Sequence, residues 1–350
     1  MCRPRRTGFG MEQDRLPDPP RFGSPRAALG GILPGFDPSN VSHPNVLRRI
    51  VGLAPVLYPG SDHQSVLRRW KLVGRSLLLL PWTIEWFRAL DTPKMRIATA
   101  IRPRIFAKLQ RPYLTRRHGV AARLAVLKDH CRILEETLPE EAIVAIYTHP
   151  GLTLATIELG EGRSTTLRLE YSDRYEKEGE FTLGIYLSPG EKMIFTITCV
   201  VTQRPDGKRG LFIGGLQGGN DPAQPEMVRD LTKDMYGLRP KAFALFMAQQ
   251  LAEWVGAVEL RGVADAETIY QHFQNRKAIG ASYDALWIES GGVLSPSDGC
   301  FDLPLRHVER SRDEIKPNKR SLYEKRYALL REIAAAARSG WDKARCGAGA

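Results

Sequence analysis

The hydrophobic pattern divides the chain in two. From Val46 to Leu138 apolar residues recur every three or four positions, the period of amphipathic helices. Val46, Leu47, Ile50, Val51 and Leu53 start one stripe. Val66, Leu67, Trp70, Val73, Leu77 and Leu80 continue it, and Leu124, Leu127, Cys131 and Leu134 form a further face that ends before Pro139. The period then shortens. Ile143–Tyr147, Leu152–Leu159, Thr165–Tyr171, Phe181–Leu187, Met193–Thr202 and Leu211–Leu216 read as strands, separated by turns such as Ser188-Pro189-Gly190 and Arg204-Pro205-Asp206-Gly207. Such a run predicts an antiparallel meander. Helices return over Pro225–Tyr236, stopped by Gly237, and Pro240–Val255, stopped by Gly256; Pro240 suits a first helical turn. Ala257–Val263 reads as a strand, Glu267–Asn275 as a helix and Tyr283–Glu289 as a strand. A basic amphipathic helix over Asn318–Ala337 is released at Gly340. The pattern predicts an α+β fold: a helical N-terminal part, then a mixed, largely antiparallel sheet flanked by helices.

Composition refines this division. Residues 1–44 are rich in Pro, Gly and Arg without periodicity and read as a disordered basic extension. A helical region (45–140), an α+β domain (141–337) and a flexible tail (338–350) follow. The formal net charge of +12 favours anionic contacts: lipid headgroups, other envelope components or a phosphorylated cofactor. No helix-turn-helix, RRM or zinc-finger pattern appears, so nucleic acid is not the expected partner. The five cysteines form no CxxC, which argues against a disulfide framework or a metal site and for a reducing, cytoplasmic setting. No stretch reaches the roughly 18–20 apolar residues of a membrane span. Val66–Phe87 carries Arg68, Arg69, Lys71 and Arg75 among Trp70, Trp82 and Trp86. It fits either a segment lying peripherally at the inner membrane or a core helix pair with snorkelling arginines.

Ordered motifs carry a family resemblance. They are Arg111-Pro112-Tyr113-Leu114, Lys128-Asp129-His130, Glu178-Gly179-Glu180-Phe181-Thr182-Leu183, Ile213-Gly214-Gly215-Leu216-Gln217-Gly218, Leu231-Thr232-Lys233, Gly237-Leu238-Arg239-Pro240-Lys241, Tyr283-Asp284-Ala285-Leu286-Trp287, and Lys319-Arg320-Ser321-Leu322-Tyr323 with Arg326-Tyr327. Together, from about Val46 to Leu330, the chain resembles the VirK/YbjX family. One departure is Cys131, where that pattern leads one to expect an aromatic after the histidine. The resemblance implies links to bacterial virulence, outer-envelope integrity and tolerance of antimicrobial peptides, and no settled catalytic mechanism.

Several constellations could carry chemistry. Gly214–Asn220 reads as a Gly-rich turn between a strand and a helix, where backbone N–H groups can approach a phosphate. Gly215, Gln217, Gly218 and Gly219, assisted by Lys233 and Arg239, are the candidate donor-binding residues. The order strand, Gly turn, helices, strand, helix, strand resembles the acyl-CoA-binding half of GNAT-like acyltransferases, which implies acyl-CoA as cofactor. A tight turn packing strand against helix is the plainer alternative. No Gly-Lys-Ser/Thr follows, so the segment is not a Walker loop. Glu178 and Glu180 stand two apart at the mouth of a strand and so on one face; two close carboxylates would raise one pKa, and Glu180 is the candidate general base. An exposed acidic edge is the alternative. Asp284 is the second catalytic candidate, a carboxylate among apolar neighbours that needs a partner such as Lys319, Arg320 or Arg326. Those three cations, interleaved with Tyr323 and Tyr327, are candidates for an anionic surface or for a solvated helix face. His130 reads as a packed helix histidine. The expected function is envelope maintenance, as an acyltransferase or as a non-catalytic adaptor or chaperone-like factor.

Overall fold

The computed structural model describes residues 45–160, 162–270 and 282–347. The expected N-terminal extension, the final residues 348–350 and most of the predicted Glu267–Asn275 helix lie outside these. The described part of that segment is not α-helical: Glu267 ends a 3-10 turn, Asp265–Glu267, and Thr268 forms an isolated β-bridge with Thr115.

Helices come first. α1 (Val46–Leu57), α2 (His63–Leu78), α3 (Leu80–Ala89) and α4 (Pro93–Ile101) lead into a 3-10 segment, Pro103–Gln110, then α5 (Val120–Thr137) and α6 (Glu140–Tyr147). Local chemistry sets the starts: the Asn45 side chain accepts from the N–H groups of Leu47 and Arg48, and Asp62 accepts from that of Ser65. Prolines occupy the first turns of α3 and α4, where no N–H partner is needed. α5 buries Leu124, Leu127, His130, Cys131, Ile133 and Leu134.

The sheet follows. β1 (Leu152–Gly160), β2 (Arg163–Glu170), β3 (Phe181–Ser188), β4 (Lys192–Gln203) and β5 (Arg209–Gly218) are successive antiparallel neighbours. β6 (Ala257–Gly262) joins β5 in parallel after the crossover helices α7 (Gln224–Asp234) and α8 (Pro240–Trp254). After α9 (Tyr283–Glu289) the edge is built by β7 (Val293–Leu294) and β8 (Phe301–Leu303), in the order β5-β6-β8-β7. α5 and α8 both pack on β4, whose Ile194, Ile197, Cys199, Val200 and Val201 are inaccessible to solvent. The last helix, α10 (Arg320–Arg345), packs across β1.

The α+β class and the meander are as the pattern predicts. Three elements differ. Ile143–Tyr147 is the end of helix α6: Glu140 and Glu141 favour a helix start after Pro139, and the buried set Ala142, Ile143, Ile146 and Tyr147 follows helical spacing. Tyr283–Glu289 is also a helix, with Ser282 as its cap and Tyr283, Leu286 and Trp287 buried. Gly214 to Gly218 are strand residues of β5 and not a turn.

α10 also runs through Gly340. A Cβ at this position would lie 2.0 Å from the carbonyl oxygen of Leu154, so the residue marks a close helix–strand approach. Ala is the better helix former, yet Gly340→Ala is expected to destabilise the protein by ~1–3 kcal/mol, because backbone must move to admit the methyl group. Urea denaturation checks this; an unchanged or raised midpoint would refute the close approach.

Candidate active site at the parting of β5 and β6

The loop between β2 and β3 places three carboxylates at alternate positions, Glu176, Glu178 and Glu180, and all three are buried. Each has different company. Burial works against the Glu176 carboxylate, but Arg111 and Arg104 outweigh it and hold its pKa below the ordinary value. Glu180 faces Lys108 Nζ at 2.6 Å and accepts from the Tyr113 hydroxyl at 2.8 Å. Burial pushes its pKa up, and Lys108 and Tyr113 oppose that rise. The same ammonium reaches the Gly179 carbonyl at 3.3 Å and lies 4.8 Å from the centre of the Tyr171 ring.

Glu178 forms no ion pair among the described residues. Its Oε1 accepts from Gln217 Nε2 at 2.9 Å, and the Tyr270 hydroxyl is its other polar neighbour. Burial pushes its pKa up to about 7.

Glu178 lies against a local irregularity of β5. The parallel pairing of β5 with β6 ends at Ile213–Gly262, while β5 runs on to Gly218. On the other edge, Cys199 pairs with Ile213 and Thr198 with Gly215, so Gly214 is the extra residue of a β-bulge. A Cβ on Gly214 would lie 2.0 Å from the Glu178 carbonyl oxygen, and one on Gly215 would lie 1.9 Å from Glu178 Oε2. These glycines are therefore required by the approach of the Glu178 loop. Beyond the last β6 pair, the hydroxyl of Tyr283, the first residue of α9, accepts from Leu216 N–H at 3.2 Å and donates to the Leu216 carbonyl at 3.1 Å. Burial pushes the Tyr283 pKa up, and the nearby Glu178 adds to the rise, so this phenol stays protonated at neutral pH. A carboxyl that titrates near neutral pH and a phenol that holds its proton thus meet at one strand, the first suited to a base role and the second to hydrogen bonding.

The comparisons with known proteins bear on the same segments. The family described as "Protein of unknown function (DUF535)" matches residues 62–339. The chain is 30% identical over 280 residues to the uncharacterized protein YbjX of Escherichia coli (strain K12), covering 79% of this chain and 84% of that one. The chain belongs to this DUF535 (VirK/YbjX) family. Two uncharacterized proteins of Haemophilus influenzae are also similar: one is 31% identical over 170 residues (48% of this chain, 54% of that protein), the other 25% over 224 residues (63% and 72%). Four of the DUF535-like segments, 111–114, 178–183, 213–218 and 283–287, come together here: Arg111 pairs with Glu176, Leu114 N–H donates to the Lys177 carbonyl at 2.8 Å, and Gln217 and Tyr283 meet at Leu216–Gln217.

Of the residues singled out from sequence, Gly215 and Gln217 lie at this site. Gly218 ends β5, and Gly219 N–H donates to Ile194 in the sheet. Lys233 is exposed on α7, and Arg239, at the start of α8, pairs with Glu289. Glu180 is held on the Lys108 side of its loop. It and Glu178 do not share a strand face, because residues 174–180 form a turn-rich loop. Asp284 accepts from Asp265 N–H at 2.8 Å, so a backbone amide and not a cation is its partner. Arg326 donates to the Tyr236 carbonyl at 3.0 and 2.7 Å, and Arg320 donates to the carbonyls of Arg312 and Ile315. Lys319 is exposed. His130 is a core residue whose Nδ1 accepts from Val201 N–H at 3.4 Å. The sequence pattern missed Tyr270 and the polar use of Tyr283, and it preferred Glu180 to Glu178. Spacing could not reveal which glutamate Lys108 neutralises.

The raised pKa fixes the sign of a pH effect. Between the ordinary value of 4.5 and about 7 the folded protein holds the Glu178 proton more tightly than the unfolded chain, so this group's contribution to stability declines as pH rises through that window. Glu178→Gln removes the effect. Relative to wild type, its unfolding free energy is expected to rise by up to roughly 3 kcal/mol between pH 5 and pH 8. Urea melts at both pH values check this; a pH-independent difference would refute it.

Proposed function

We propose that the protein is an acyltransferase of GNAT-like architecture that takes an acyl thioester at the parting of β5 and β6 and transfers the acyl group to an envelope component. One observation carries the reading: the only parallel strand pair among the described residues separates at a β-bulge, where a carboxyl of pKa about 7 faces the strand. Where the strands part, β5 backbone groups are free of β6. The extended amide chain of an acyl-CoA or acyl-carrier donor can pair with such an edge, once the Tyr283 hydroxyl releases Leu216. The parallel β5–β6 pair joined by a helical crossover is further support, although two helices, α7 and α8, and not one fill that crossover.

In this reading Glu178 is the general base. It accepts the proton of an acceptor amine or hydroxyl as that group attacks the thioester carbonyl. The new C–N or C–O bond forms, the C–S bond breaks, and the proton that Glu178 accepted passes to the departing thiolate, which restores the carboxylate. The Leu216 N–H is the nearby dipole available to the developing oxyanion. Gly218 and Gly219 lie where strand β5 leaves the sheet toward α7, and the exposed Lys233 on α7, with Arg239 once it exchanges Glu289, supplies positive charge that suits a donor phosphate. Envelope maintenance and a role in virulence come with the resemblance to VirK/YbjX.

Calorimetric titration with acetyl-CoA and with a long-chain acyl-CoA tests the donor site. Micromolar binding is expected for wild type, retained in Glu178→Gln and weakened at least roughly tenfold in Gly218→Asp. At Gly218 the nearest atom to an added Cβ, Gln224 Nε2, is 4.0 Å away, so this variant adds charge without a clash. No binding of either donor by folded protein would sink the acyl-transfer reading and favour a non-catalytic adaptor.

A further inference from the structure

α2 is amphipathic in the wrong sense for a helix of a closed fold. Of its sixteen residues, from His63 to Leu78, it buries only Leu72 and Ser76. Val73 is half-buried against the core, and the remaining large apolar side chains face solvent: Trp70 is 70% exposed, Leu78 80%, and Leu67, Leu77 and Val66 between 37% and 47%. At 100° per residue Val66, Leu67, Trp70, Leu77 and Leu78 share one stripe, opposite the buried Leu72–Ser76 side. Arg68, Lys71 and Arg75 fall along one border of that stripe, and all three are exposed. The neighbouring elements also expose apolar side chains, Leu47 and Val51 (60%) on α1 and Trp82 at the start of α3. Eight of the exposed large apolar residues therefore lie within Leu47–Trp82, far more than the scattered single residues of an ordinary surface.

Charge indicates what covers this face. From His63 to Ile84 the chain carries Arg68, Arg69, Lys71 and Arg75 and no acidic residue. Arg69 is occupied internally, donating to the carbonyls of Tyr58 and Gly60. Past the capping Asp62, the charged residues that border the apolar stripe are cations, and the exposed tryptophans Trp70 and Trp82 are side chains well suited to a boundary between water and hydrocarbon. No helix among the described residues is long and apolar enough to cross a membrane. We propose that the α1–α2 face docks in the plane of an anionic lipid bilayer, with Trp70, Leu77 and Leu78 entering the acyl boundary and Arg68, Lys71 and Arg75 facing the headgroup phosphates. This inference rests on the surface alone and is independent of the acyl-transfer reading.

The full chain is tested by co-sedimentation with vesicles of phosphatidylglycerol and phosphatidylcholine, and with vesicles of phosphatidylcholine alone. Binding is expected to the anionic vesicles, weakening as salt rises, with a blue shift of tryptophan fluorescence. The double variant Trp70→Ser/Leu78→Ser is expected to lose roughly tenfold or more in partitioning, and Lys71→Glu/Arg75→Glu is expected to lose its preference for anionic lipid. All four side chains are exposed, so unchanged thermal unfolding serves as the control for folding. Absence of binding by wild type would overturn the proposal, as would variants that bind equally well. Concentration-dependent self-association that these substitutions abolish, without vesicle binding, would assign the face to a second copy instead.

Discussion

The buried pair between Lys108 and Glu180 is the contact on which the centre of the molecule depends. Lys108 comes from the 3-10 segment that ends the first helices, and Glu180 from the loop that enters β3. Neither is accessible to water, and removing one partner would leave an uncompensated charge at a cost of about 3–5 kcal/mol. The ammonium is further held by the Gly179 carbonyl and the faces of Tyr113 and Tyr171. The pair therefore ties the helical layer to the sheet and fixes the 176–180 loop at its C-terminal end. Arg104 and Arg111 fix it at Glu176.

Glu178 lies between these two anchored points, and its environment follows from them. With Arg104, Arg111 and Lys108 engaged by Glu176 and Glu180, it bonds the neutral Gln217 and Tyr270, and the remaining cation, Arg174, lowers its pKa less than burial raises it. Such an arrangement is unfavourable for stability above neutral pH, because a buried carboxyl of raised pKa is destabilised whenever it ionises. Groups of this kind concentrate where chemistry needs them, and the bulge at Gly214 adds a second local irregularity at the same place. Two departures from regular structure, one electrostatic and one in the backbone, coincide on one strand; that coincidence separates this site from the many other ion pairs of a basic protein.

Much of the fold was legible in the hydrophobic pattern. Strands β1 to β6 and helices α5, α7 and α8 follow the change from helical to alternating period, because each is long enough for its buried face to repeat. The short helices α6 and α9 were not, since four or five apolar residues fit either period; the acidic first turn of α6 and the Ser282 cap of α9 were the signals that could have decided them. The Gly214–Gly218 segment shows a different limit. Its glycines announce a close approach, but the partner, the Glu178 loop, is more than thirty residues away in sequence and only the fold brings it there. Likewise the stripe from Val66 to Leu77 has helical spacing, yet spacing cannot tell a face turned to the core from one turned outward.

The division of charge within the 176–180 loop is most directly tested by titrating the glutamate side-chain carboxyls by carbon-13 NMR in wild type and in Glu178→Gln. The expected result is a carboxyl resonance in wild type with a midpoint near 7 that is missing from the variant. If the resonance lost on substitution instead titrates near the ordinary value of 4.5, Glu178 is no general base, and the chemistry assigned to the β5 bulge falls with it.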